Sequence, residues 1–211
     1  GQIIGNYKTN SQGWIELSKL RQGKVIATEI ATKSEYILDD KEREILLDYD
    51  TYKELTIGNE HKRGDLKVYK VDADNKKIAL GGVKFALYSY EFNKITGHYT
   101  TNANGEISIK NLRTGKWALI EEETNKWYNL LDGQIELKVE WNETTNTTIE
   151  NELKKSQVKV IKVDKENHEV KLKDVVFEVL DKNNNVLETI KTNSEGEAVT
   201  SRYAVRDYSE L

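Results

Sequence analysis

Much of the chain is written in short stretches whose apolar and polar residues alternate, the period-two signature of β-strands. "DLKVYKVD" (65–72) sets Leu66 and Val68 on one face and Lys67, Tyr69 and Val71 on the other, and the apolar face ends on Lys70. "VKFALYSY", "GEISIKNL", "WALIEE" and "GQIELKVEW" continue the pattern, separated by Asn, Gly and Asp turns. Short alternating strands with turn signals at intervals of roughly 10 residues predict an all-β antiparallel sandwich. Long helical periodicity is missing; "SEYILDDKEREILLDYDTYKEL" (34–55) is the one place where its Glu and Lys residues let a short helix compete.

The pattern repeats. "TNSQG", "TNANG" and "TNSEG" end on Gly13, Gly105 and Gly196, which stand 92 and 91 residues apart. "LTIGNEHKRGDLKVYKVD" and "TTIENELKKSQVKVIKVD" pair Asn59 with Asn151 and Lys70 with Lys162, and "GKVIATEIATKSEYILD" against "GKWALIEEETNKWYNLLD" pairs Glu29 with Glu121, each 92 apart. A repeat of about 92 residues follows. It divides the chain into the later part of one repeat (1–62), a complete repeat (63–154) and the first part of a third (155–211). The opening "GQIIGNYKTN" reads as domain interior, so a longer parent protein is expected.

Three polar residues fall in the inward phase of the complete repeat. Lys70 follows Leu66 and Val68, Glu121 follows Trp117 and Leu119, and Asn151 follows Ile149; Ala118 and Ile120 make the other face of the Glu121 strand apolar too. For any one of them a solvated strand position is the ordinary outcome, because isolated lysines and glutamates are mostly exposed. Together they carry chemistry. A buried amine kept neutral is a nucleophile, a buried protonated carboxyl donates a hydrogen bond, and a side-chain amide beside both is an electrophile.

These residues resemble the collagen-adhesin B-type (CnaB, prealbumin-like) repeats of Gram-positive surface proteins and pilins, over essentially the whole chain. In that family a strand reading V-x-K-x-D supplies a lysine, as in "VYKVD" and "VIKVD" here. The family's E-box, Y-x-L-x-E-x-x-A-P-x-G-Y, is similar to "WALIEEETNKWY", with Trp117, Leu119, Glu121 and Tyr128 in register, and to "VIATEIATKSEY" with Glu29 and Tyr36. Its final-strand asparagine is matched by Asn151 in "TIENE" and Asn59 in "TIGNE". The Ala-Pro and Gly of the E-box are absent, so the loop after Glu121 departs from the family pattern.

The resemblance implies tandem Ig-like, prealbumin-like sandwiches and a self-formed isopeptide bond between Lys70 and Asn151. In that reading Glu121 polarises the Asn151 carbonyl and shuttles protons while ammonia leaves. Glu29, Asn59 and Lys162 are the equivalent positions of the incomplete repeats, and a Lys162 meeting Glu29 and Asn59 of another molecule is a second arrangement the register allows. The reaction turns over once, so no enzyme and no cofactor are expected. The expected role is a stalk repeat of an extracellular, cell-wall-attached adhesin or pilus-type protein, with neighbouring repeats of the same chain as partners. One alternative is a ligand-binding adhesin module for a host protein or glycan; a second is a carbohydrate-active accessory domain on an extracellular enzyme, with Trp127 and Tyr128 stacking on sugar.

Composition narrows the classes further. A net charge of -4 with interspersed signs points away from nucleic acid and from a polybasic membrane contact, and no apolar run is long enough for membrane insertion. Cysteine, methionine and proline are absent, which excludes disulfides, thiolate metal sites and cysteine nucleophiles. "DADNKK" (72–77) and "DKENHE" (164–169) cluster oxygen ligands without the spacing of a calcium loop and read as surface turns, so no metal is expected. His61, His98 and His168 are dispersed, and the sequons at Asn142 and Asn146 are discounted in a bacterial setting. Trp14, Trp117, Trp127 and Trp141 are assigned to the sandwich core.

Overall fold

The structure, a computed structural model, describes residues 2–204, with strands and turns and no helix among them. Residues 205–211, the end of the predicted third repeat, lie outside the described residues. The chain forms two compact units, Gly1–Lys62 and Arg63–Leu211.

In the first unit β1 (Gly23–Ala27) pairs antiparallel with β2 (Arg43–Leu47), setting Val25 opposite Ile45 and Ala27 opposite Arg43. The segment that competes for a helix therefore supplies a strand. Its Arg43, Ile45 and Leu47 alternate with the period of the partner β1, and cross-strand pairing outweighs the modest helix preference of Glu and Lys. Tyr36 and His61 form an isolated bridge, their rings 4.2 Å apart.

The second unit contains a two-sheet sandwich built from β3 (Arg63–Asp72), β4 (Lys84–Ser89), β5 (Lys94–Thr100), β6 (Glu106–Arg113), β7 (Gly115–Glu123), β8 (Gln134–Val139) and β9 (Thr144–Asn151). One sheet has the order β6-β3-β9 and the other β5-β4-β7-β8. Every pairing is antiparallel except β3 with β9, which run parallel in a register that sets Lys70 beside Ile149 and Asp72 beside Asn151. Leu66, Val68, Ile107, Ile109 and Ile149 face Phe85, Leu87, Trp117, Leu119 and Val139, and this is the core of the unit.

Beyond it lie β10 (Lys155–Ser156), β11 (Lys159–Ile161), β12 (Val176–Leu180), β13 (Val186–Lys191), β14 (Glu197–Val199) and β15 (Tyr203–Ala204), joined as the antiparallel pairs β10–β15, β11–β14 and β12–β13. Local structure repeats with the sequence. The Thr101 hydroxyl donates to the Leu80 carbonyl and accepts from the Val83 amide, at 2.7 and 2.9 Å, and Thr192 does the same with Leu172 and Val175 at the same distances. The three "TNSxG"-type turns share one construction: Asn10, Asn102 and Asn193 each accept two downstream amides on their side-chain oxygen. The glycine that closes each turn has positive φ (85°, 71° and 69°), a conformation open to glycine at little cost. At Gly105 an added Cβ would also lie 2.4 Å from the Lys70 carbonyl oxygen, so this turn is pressed against the lysine strand.

Tryptophan placement differs from expectation. Trp117 is in the core and Trp127 packs partly buried against it, whereas Trp14 and Trp141 are about half exposed. Trp14 precedes the strands of its own unit and Trp141 sits in the turn between β8 and β9, where strand alternation no longer dictates an inward direction.

Candidate functional site

Lys70, Glu121 and Asn151 meet inside the sandwich. Each comes from near the end of a strand: Lys70 from β3, Glu121 from β7 of the opposite sheet, Asn151 as the last residue of β9. Their exposures are 0%, 4% and 2%, so the three residues in the inward phase are indeed inside. The β3 backbone is pinned on both sides of the lysine, its N–H donating to the Gly105 carbonyl at 2.7 Å and its C=O accepting from Leu80 N–H at 2.8 Å.

The polar contacts form a closed triangle. Asn151 Nδ2 donates to Glu121 Oε1 at 2.6 Å and to Thr124 Oγ1 at 2.9 Å, which uses both of its hydrogens and turns Oδ1 toward Lys70. Lys70 Nζ donates to that Oδ1 and stands 3.1 Å from Glu121 Oε2. Oε2 has no aligned hydrogen-bond donor, so the lysine nitrogen touches it by proximity rather than through a formed bond. The Phe85 ring, 5.9 Å from Nζ, is part of the apolar wall.

Electrostatics follow from the burial. Removing an ammonium from water penalises its charged form, and burial pushes the Lys70 pKa down from its ordinary 10.5 against the opposing pull of the nearby Glu121 carboxylate. The arrangement holds an amine of lowered basicity against an amide carbonyl, with the two oxygens of one carboxyl group touching the amine on one side and the amide nitrogen on the other.

A second buried contact braces the site. Tyr128 O–H donates to Asp72 Oδ2 at 2.8 Å, while Asp72 Oδ1 accepts from the Asp74 and Asn75 amides at 2.8 and 2.7 Å. "DADNKK" thus folds as a turn capped by its first aspartate, and "DKENHE" does the same through Asp164 Oδ1 with the Glu166 and Asn167 amides. Tyr128 is 4% exposed, which removes it from any exposed sugar platform with Trp127. His98 pairs on the surface with Glu122, and His61 stacks on Tyr36.

The equivalent residues are only partly brought together. In the first unit Asn59 Nδ2 donates to Glu29 Oε2 at 2.6 Å and to the Ile37 carbonyl at 3.0 Å, and the Asp39 amide donates to the same Glu29 oxygen at 2.7 Å. The Asp39 amide first, and then Asn59, hold the Glu29 pKa below its ordinary 4.5. Lys162 is half-buried and its amine reaches the Val163 carbonyl at 3.5 Å.

Thr124 is the contact that strand alternation does not reveal, because it lies just past the end of β7. A signal for it is present: the residue three after the glutamate is threonine in both copies, Thr32 and Thr124, where the resembled E-box has alanine.

A family model described as "SpaA: Prealbumin-like fold domain" matches residues 64–153 and again 156–209. The curated proteins contain no match. Among solved structures, the Bacillus anthracis TIE protein superposes with a TM-score of 0.60 at 23% identity over 91% of this chain, which spans 37% of that protein's length. BcpA, the major pilin subunit of Bacillus cereus, gives a TM-score of 0.42 at 22% identity, over 47% of this chain and 31% of that one. GBS52, the minor pilin of Streptococcus agalactiae, gives 0.41 at 24%, over 69% and 66%.

Proposed function

On the premise that the chain belongs to the prealbumin-like fold domain family, as its two matching segments establish, we propose that it is part of the stalk of an extracellular, cell-wall-attached adhesin or pilus-type protein of a Gram-positive bacterium. Residues 63–154 are its complete repeat, locked by a self-formed Lys70–Asn151 amide, with 1–62 and 155–211 belonging to neighbouring repeats. The observation that carries this reading is the buried triangle in which Lys70 Nζ faces the Asn151 carboxamide and Glu121 bridges them.

The chemistry runs through groups already in contact. The neutral Lys70 amine adds to Asn151 Cγ; Glu121 takes a proton from Nζ through Oε2 and gives one to Nδ2 through Oε1. The Cγ–Nδ2 bond then breaks and ammonia leaves, so one C–N bond forms, one breaks, and the carboxyl group ends as it began. Burial supports each step: it keeps the amine nucleophilic and makes proton transfer within the triangle cheaper than charge separation. The product is a neutral amide, which removes the cost of holding a lysine amine in the core.

Mechanical logic follows from the parallel β3–β9 pairing. The strands lie side by side pointing the same way, so tension entering at Arg63 and leaving after Asn151 shears one against the other. A covalent bond between Lys70 and Asn151 takes that load directly and leaves residues 71–150 outside the force path. Among the described residues no helix is long and apolar enough to cross a membrane. Single-molecule pulling from the ends of the chain tests the role: residues 71–150 should contribute no extension, and Lys70→Ala should add about 270 Å of contour length. Release of the full length from the unaltered chain would reject a load-bearing crosslink.

A further inference from the structure

We propose that Thr124 is a positioning residue for bond formation, holding the departing nitrogen of Asn151 so that its carbonyl carbon faces the Lys70 amine; this rests on the crosslinking reading above. A terminal amide can turn over by rotation about Cβ–Cγ, which would exchange its oxygen and nitrogen. Glu121 Oε1 alone does not prevent this, because a protonated carboxyl can donate to an amide oxygen as readily as a charged one accepts from an amide N–H. Thr124 Oγ1, 2.9 Å from Nδ2, supplies a second acceptor on the nitrogen side, and together with the Lys70 amine on Oδ1 it selects one orientation.

Geometry extends the role to the leaving group. As the tetrahedral intermediate collapses, Nδ2 receives its proton from Glu121 and departs as ammonia, next to the hydroxyl it already contacts. Thr124 is half-buried and lines an open surface cleft of about 340 Å³ together with Asn125, Tyr128 and Lys154. The nitrogen is thereby released on the side that leads to water, whereas Lys70 and Phe85 close the other. The first unit places a threonine at the same spacing but uses it differently: Thr32, three residues after Glu29, hydrogen-bonds that carboxylate, while the second hydrogen of Asn59 goes to the Ile37 carbonyl, so a hydroxyl on the carboxamide nitrogen belongs to the complete repeat.

The test follows crosslinking in the full chain made by cell-free synthesis, quenched in acid at intervals and weighed intact, the fraction lacking one ammonia being the readout. Thr124→Val keeps the shape and removes the acceptor; it should form the bond about tenfold more slowly, the size of one transition-state hydrogen bond. Thr124→Ser restores the hydroxyl and should react within about twofold of the parent rate, a rescue that packing alone does not predict. Placing Thr124→Val in a Lys70→Ala background and finding the thermal midpoint of Lys70→Ala alone shows that the fold is unchanged. If the valine variant is instead misfolded, Thr124→Ala against Thr124→Ser makes the same comparison. Valine at the parent rate, or serine as slow as valine, overturns the role of Thr124. A parent chain that never loses ammonia overturns the crosslink itself, a different result from either.

Discussion

Lys70 and Lys162 occupy the same place in the same local structure and meet different fates. Each donates its backbone N–H to the carbonyl of a turn glycine, Gly105 or Gly196, at 2.7 Å, and each accepts from a leucine amide, Leu80 or Leu172. The side chains diverge: Lys70 is wholly buried beside Glu121 and Asn151, and Lys162 is half-buried beside a backbone carbonyl. Their strands diverge likewise, Leu66 and Val68 being fully buried while Val158 is 61% exposed. Strand and turn therefore build the lysine's backbone seat, but β7 of the opposite sheet and the parallel β9 bring the carboxyl and carboxamide groups to it. A strand alone aims the amine; only the second layer takes it out of water.

The strongest way to break this contrast is to disable the carboxyl group. Glu121→Ala should leave the sandwich folded and uncrosslinked, forfeiting roughly 4 to 5 kcal/mol of unfolded-state restriction for a loop of this size and about 20 °C in thermal midpoint. The same change at Glu29 removes hydrogen bonds from Asp39 and Asn59 but no crosslink, and its loss should be far smaller. Equal losses at the two glutamates would mean that the sites do not differ as described; calorimetry of the two variants decides.

A smaller effect sharpens the contrast through pH. In Asn151→Ala the lysine stays unreacted and buried, with a folded-state pKa below 10.5. Between that lowered pKa and 10.5 the unfolded chain binds more protons than the folded one, so stability rises with pH across this window, by at most about 1.4 kcal/mol per pH unit for one proton. Below the lowered pKa both states hold the proton and the full penalty persists. Urea midpoints measured from neutral to alkaline pH should show the rise; adding Lys70→Met should remove it and adding Lys162→Met should leave it. Removal by the Lys162 change instead would reverse the assignment of the buried amine.

How much of this was legible follows from what each residue depends on. Lys70, Glu121 and Asn151 could be picked out because side-chain direction in a strand is set by parity, and the inward phases of β3, β7 and β9 hold in the fold. Parity does not say which strands lie side by side, so the parallel β3–β9 pairing was not legible, although it brings Asn151 to the lysine. Thr124 escaped because it lies beyond the end of β7, where no periodicity governs direction, and the exposed Trp14 and Trp141 escaped for the same reason. The segment 34–55 misled because its charged residues favour a helix locally while β1 offers β2 a partner.

Weighing the purified chain and sequencing its tryptic peptides shows whether Lys70 and Asn151 become one amide. With the bond formed, the intact mass lies one ammonia below that of the 211-residue sequence, and a branched peptide joins the segment that contains Lys70 to the one that contains Asn151. The full unmodified mass, with Lys70 and Asn151 recovered in separate linear peptides, would contradict it.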